Sequence, residues 1–211
     1  MKNFNAENIT KKSNLEVSDS LSAYLGHSAQ QNHYVYETFF KLIQEIKPSR
    51  IIEIGTGMGS FTLFLKMCCN DLELDTTIVS YETNGRESYE FIRSHDIDIR
   101  VKNVFFENYS GVEQEIIDLI LEEGVSIVLC DGGHKISEFN LLSKYLKPND
   151  IIMAHDYAAN TQYFDETIKN KYWNWLEISD SDIQDAVTLN NLHPYMQDEF
   201  NKAVWVCKIK K

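Results

Sequence analysis

Apolar positions along the chain alternate between two spacings. From Tyr34 to Ile46 they recur as Tyr36, Phe39, Phe40, Ile43 and Ile46, which predicts an amphipathic helix that Pro48 ends. Arg50–Ile54 is then a short apolar run of strand length. Phe61–Cys69 reads as the next helix, and Thr77–Tyr81 is a second strand-like run that stops at Glu82. Asn84 and Glu87 have the spacing of a capping box for a helix reaching His95. Ile97–Val101 reads as a third strand. Ser110 and Glu113 form a second such box, ahead of a face made by Val112, Ile116, Ile117, Ile120 and Leu121, and Gly124 closes that helix. Val125–Cys130 is the most strand-like segment of the chain. Ile136, Phe139, Leu142, Tyr145 and Leu146 mark a helix ending at Lys147-Pro148, and Asp150–Ala154 is a fifth strand. Beyond Tyr157 the pattern weakens: Trp173–Ile178 and Ala203–Ile209 read as two late strands around a helix near Asp182–Val187.

Repeated strand–helix units with nearly continuous apolar strands predict a parallel sheet covered on both faces. The expected fold is α/β: a Rossmann-like, doubly wound, mostly parallel seven-stranded sheet with a C-terminal antiparallel strand. Residues 1–30 are polar, with a short helix expected around Ser20–Leu25, and read as an N-terminal arm or lid. Residues 31–211 then form one domain, a size that buries a sufficient core.

Charge narrows the partners. With 20 Lys and Arg against 32 Asp and Glu, the net charge is −12, which repels phosphate backbones and anionic lipid. Neither nucleic acid nor membrane is therefore expected as a partner, and a small-molecule or sugar-like one is favoured; a homo-oligomer stays open. The four cysteines form no C-x-x-C pair, so no structural zinc is expected, and their apolar settings suit a reducing compartment. Residues 1–12 show no apolar signal core, and no run approaches the roughly 20 apolar residues of a membrane helix. A cytoplasmic location is expected.

In sheets of this kind ligands sit at the carboxyl ends of the strands. After the first strand comes Glu53-Ile54-Gly55-Thr56-Gly57-Met58-Gly59-Ser60. Glycines there let backbone approach a ligand, and the next helix offers free N–H groups. The third glycine follows the second by two residues, not by the three of the dinucleotide fingerprint. This string, preceded by an acid, resembles motif I of the class I S-adenosylmethionine-dependent methyltransferases. Glu82, ending the second strand, is placed to accept from both ribose hydroxyls, and Asn103 to meet the adenine.

After the fourth strand comes Asp131-Gly132-Gly133-His134, and after the fifth His155-Asp156-Tyr157. With these, Gly26–Tyr157 resembles the bacterial small-molecule O-methyltransferases of the macrolide-sugar and rhamnosyl type and their cephalosporin-hydroxylase-like relatives. The resemblance implies S-adenosylmethionine as cofactor, with Asp131 touching it or helping hold a divalent cation, magnesium or manganese. Asp156 is implied as a further metal ligand and His134 as the general base that takes a proton from a hydroxyl acceptor. Departures from the family leave alternatives. Macrolide-sugar relatives carry a second acid where His155 stands, so His155 is either a third ligand or the base itself. His134 can also be read as a turn residue, and His155 with Asp156 as an ion pair or helix cap. Trp173 and Trp175 alternate in a predicted strand and read as core and surface packing, whereas Tyr24, Tyr34 and Tyr36 can be read as helix packing or as acceptor-pocket residues.

The chain has only Pro48, Pro148 and Pro194, so it lacks the double-proline turn of amino-directed methyltransferases, and an oxygen acceptor is expected. Two other classes are compatible with the fold: a nicotinamide-dependent oxidoreductase, disfavoured by the glycine spacing, and a non-catalytic cofactor-binding protein.

Overall fold

The computed structural model describes residues 9–11, 22–25 and 27–211. Strands β1 (Ile9–Lys11), β2 (Ser22–Tyr24) and β3 (His27–Ser28) make a small antiparallel sheet. The helix expected at Ser20–Leu25 is therefore a strand where it is described; Ser20 and Leu21 lie outside the described residues. Tyr24 belongs to the core instead, stacked on Tyr36 and edge-on to Phe64.

The chain continues through α1 (Tyr34–Ile46), β4 (Arg50–Ile54), α2 (Ser60–Asp71), β5 (Thr77–Glu82), α3 (Ser88–Arg93), β6 (Asp98–Val101), α4 (Gln114–Leu121) and β7 (Ser126–Cys130). It goes on through α5 (Lys135–Leu142), β8 (Ile151–Ala154), a helical turn α6 (Thr161–Tyr163), α7 (Asp180–Leu189), β9 (Leu192–Pro194), α8 (Gln197–Ala203) and β10 (Val206–Lys210). The seven-stranded sheet has the order β6-β5-β4-β7-β8-β10-β9. β4 to β8 pair in parallel, whereas β10 runs antiparallel to both β8 and β9.

Alternation along β4 shows how the two cores are divided. Ile51 packs with residues of α1, α2 and α8, whereas Ile52 and Ile54 pack with residues of α4, α5 and α7. Helices thus cover both faces, and the sheet is doubly wound. Chain progress goes from β4 outward to β6, then returns to the other side of β4 at β7. Register pairs Ile54 with both Tyr81 and Cys130, and Cys130 with Ala154. The residues that follow these positions therefore emerge on one edge of the sheet, beside the reversal of strand order.

Two local expectations differ. Trp173–Ile178 is not a strand; its β-type pairing is limited to isolated bridges, and the seventh strand is β9. Neither Asn84/Glu87 nor Ser110/Glu113 forms a capping box: Glu87 and Glu113 are the N-caps, and neither makes a side-chain cap bond.

Candidate functional site

The loops after β4, β5, β7 and β8 enclose a cleft of about 630 Å³ at the reversal of strand order. The segment joining β3 to α1 and the residues Trp173, Trp175 and Glu177 complete its walls. A smaller recess of about 150 Å³ shares Gly55, Glu82, Thr83, Gly132 and Gly133 with it and adds Asn103, Val104 and Phe105.

The glycine loop is shaped by backbone conformations that other residues rarely adopt. Gly55, Gly57 and Gly59 have φ of +92°, +55° and +79°. A Cβ on Gly55 would lie 2.1 Å from the Asp131 carbonyl oxygen, so this glycine lets β4 and β7 close together at their ends. Gly57 lines the cleft, and its N–H donates to Glu82 Oε2 at 3.1 Å, tying the loop to the acid that ends β5. Thr56 is buried, its hydroxyl 2.7 Å from the Ser80 hydroxyl, and Ser60 donates to the Tyr24 carbonyl. The side chains of Thr56 and Ser60 therefore brace the loop. Asn103 accepts from the Phe105 N–H at 3.0 Å at the recess.

Glu53 is 2% exposed at the end of β4, where hydroxyls of Thr62, at 2.6 Å, and Ser80 donate to Oε2. Burial pushes its carboxyl up to about 7; the two hydroxyls oppose that shift, and Asp131 and Glu82 reinforce it.

Asp131, His155 and Asp156 come together, their ligand atoms all within 4.8 Å of one another. His155 Nδ1 is 3.3 Å from Asp131 Oδ1 and 3.5 Å from Asp156 Oδ1. Burial opposes its charge, but Asp156 and Asp131 outweigh burial and raise its pKa. Its Nε2 is buried without a hydrogen-bond partner, an exception among buried polar groups. Asp156 has a positive φ of 59° and caps no helix, since Asn160 is the N-cap of α6. It is instead an ion-pair residue: Trp173 Nε1 donates to Oδ1, and the Lys135 ammonium lies 2.9 Å from Oδ2.

His134 stands apart from this group. It is exposed at the start of α5, its ring 5.0 Å from that of Tyr109, and it is not among the residues lining the cleft. Its N–H and that of Gly132 donate to the buried carboxylate of Glu138, as a turn residue's would.

Gln31 and Lys135 carried no sequence expectation. Gln31 donates to Asp131 Oδ2 at 2.7 Å and accepts from Trp205 Nε1 at 3.0 Å. Lys135 follows Asp131 by four residues, the spacing at which opposite charges meet on a helix, and that was the available signal. Trp173 packs on His155, with ring centroids 4.9 Å apart, and Trp175 is 50% exposed at the cleft. Tyr34 meets Tyr172, and Tyr36 meets Phe64, so these tyrosines pack and do not line the cleft.

With Lys135 in place, every oxygen of the two aspartates faces an N–H donor: Gln31 and His155 at Asp131, Trp173 and Lys135 at Asp156. Ions such as magnesium or calcium need bare oxygens at about 2.0–2.6 Å, so this arrangement takes one only after Lys135 moves. All four cysteines are buried free thiols, and no helix among the described residues is long and apolar enough to cross a membrane.

The sheet order, the two helical layers and the cleft at the switch point define a Rossmann-like α/β protein with a strand-end cleft. No family model and no curated protein matches the chain. Solved structures do share the fold. CmcI in its apo form aligns with a TM-score of 0.58 at 9% identity, covering 89% of this chain and 75% of that one. CmcI with Mg and SAM aligns at 0.57 and 11% identity, covering 89% and 76%. An O-methyltransferase family protein from Burkholderia thailandensis aligns at 0.53 and 10% identity, covering 84% and 55%. At such identities the likeness establishes the fold.

Proposed function

We propose that this chain is an S-adenosylmethionine-dependent methyltransferase acting on a hydroxyl oxygen of a small molecule. The observation that carries the reading is the junction of Gly57 with Glu82. Bare backbone and a ribose-accepting carboxylate meet there, beside a narrow recess lined by Asn103 and Phe105 that suits a purine. The glycine spacing and the solved O-methyltransferases of the same fold favour this cofactor over a nicotinamide. When bound, S-adenosylmethionine supplies a sulfonium-activated methyl group.

The residues of the chain then have three tasks. Glu53 and Glu82 place negative charge where a cationic, ribose-bearing ligand needs it. Trp175, half exposed on the cleft wall, gives a flat surface on which an acceptor ring can lie. Asp131, whose side chain is 19% exposed against 9% for Asp156, receives the hydroxyl proton as the oxygen is held in line. Positive charge beside that oxygen stabilises it as the proton leaves. His134 has no task in this reading and keeps the role of a turn residue.

Calorimetry with S-adenosylmethionine and its demethylated product, S-adenosylhomocysteine, tests the proposal. Both should bind the folded protein, and Gly57→Val should abolish binding by filling backbone space with a side chain. Absence of heat for either ligand would overturn it.

A further inference from the structure

The carboxylates ending β7 and β8 are the pair on which a divalent ion would converge, yet a lysine of the same chain already lies between them. Lys135 is in the first turn of α5, four residues after Asp131, so the helix carries its side chain back over the β7 end. Its Nζ is 2.9 Å from Asp156 Oδ2, 2.9 Å from Glu177 Oε2, 3.3 Å from the Gly132 carbonyl and 3.6 Å from Asp131 Oδ1. An ammonium has three protons to donate. Asp156, Glu177 and Gly132 account for all three inside the cluster. The side chain is 7% exposed, and acceptors of the cluster hold all three of its protons. The group is therefore a fixed positive charge and not a base.

We propose that Lys135 is the resident cation of this site, standing where a divalent ion would bind, so that the protein works without one. An ion bound to Asp131 and Asp156 would sit within contact distance of Nζ, and two positive centres cannot share that space. A metal would bind only after Lys135 leaves the aspartates. Its exit lies toward Glu177, whose side chain is 49% exposed at the mouth of the cleft. What the charge does for an acceptor oxygen rests on the methyltransferase reading; that the place is taken does not.

Manganese(II) alone, titrated into chelator-treated full-length protein and followed by the loss of its free-ion electron paramagnetic resonance signal, tests this. Lys135→Ala should bind one manganese ion about tenfold or more tightly than wild type, because the competent state no longer has to be vacated first. Manganese should also raise the melting temperature of that variant and leave wild type unmoved. Adding Asp131→Asn to Lys135→Ala should remove the gain, locating it at the cluster and not on the acidic surface. Should Lys135→Ala not fold, Lys135→Gln removes the charge while keeping length and hydrogen-bonding capacity, and the same comparison is made. Equal manganese affinity in wild type and the lysine variants, tight or absent, would overturn the proposal. Binding of S-adenosylhomocysteine to wild type in metal-free buffer is read separately, so failure of the methyltransferase reading is not confused with failure of this one.

Discussion

Glu53 holds a carboxyl group that is buried, receives two hydroxyl hydrogen bonds and has its pKa pushed up to about 7. An unfolded glutamate ionises at roughly 4.3, so the fold disfavours this charge. Its linkage has a definite sign: stability falls as pH rises from roughly 4.3 to about 7 and is level above. A ligand bearing an ammonium or sulfonium prefers the ionised carboxyl, so binding should run the opposite way. Affinity for S-adenosylhomocysteine, measured by calorimetry from pH 5.5 to 8.5, should weaken as pH falls below about 7. Glu53→Gln should be at least as stable as wild type at high pH, while losing roughly tenfold to a hundredfold in affinity as one charged hydrogen bond goes. A pH-independent affinity in wild type would show that Glu53 does not face the ligand's positive charge.

Among the elements, α7 gives the plainest test of local coding. Ser179 and Asp182 form a reciprocal capping box, Ser179 N–H donating to Asp182 Oδ2 at 2.8 Å. Ser179→Ala should cost about 1 kcal/mol, lowering the melting temperature by roughly 2–4 °C in thermal unfolding. Two other stretches, Asn84/Glu87 and Ser110/Glu113, have a capping residue and an acid at the same spacing without the box, and the reasons are local. The helix α3 begins only at Ser88, so Glu87 stands at its N-cap and not at the third helical position that such a box needs. The Ser110 hydroxyl donates to the Glu107 carbonyl, closing a tight turn upstream instead of capping α4. Burial explains what was legible: β4, β7 and β8 are buried along their whole length, and their apolar runs showed it. Trp173–Ile178 has strand-like alternation as well. The Asp156 carbonyl takes the N–H groups of Glu177 and Ile178, and the Asp156 side chain takes the Trp173 indole, so this segment is committed to the β8 end and not to a sheet.

At the scale of the whole molecule, the doubly wound sheet and the strand-end positions of Glu53, Glu82, Asp131, His155 and Asp156 could be read in advance. A residue directly after an apolar run has only one edge of the sheet on which to emerge. What could not be read was direction and distance. His134 and Lys135 are adjacent in sequence, yet the helix start sends one outward to Tyr109 and the other into the carboxylates. Gln31 reaches Asp131 from 100 positions away, and no local pattern encodes that contact. The same convergence puts all three tryptophans of the chain at one place. Trp173 and Trp175 line the cleft, and Trp205 packs on His155 with centroids 5.0 Å apart while donating to Gln31. The protein therefore carries its own optical reporter: its three indoles stand at the cleft wall or directly behind it. A ligand that displaces water from Trp175 should shift their ultraviolet emission without any attached dye, and Trp175→Phe should remove most of the shift while leaving the emission of the two inner indoles.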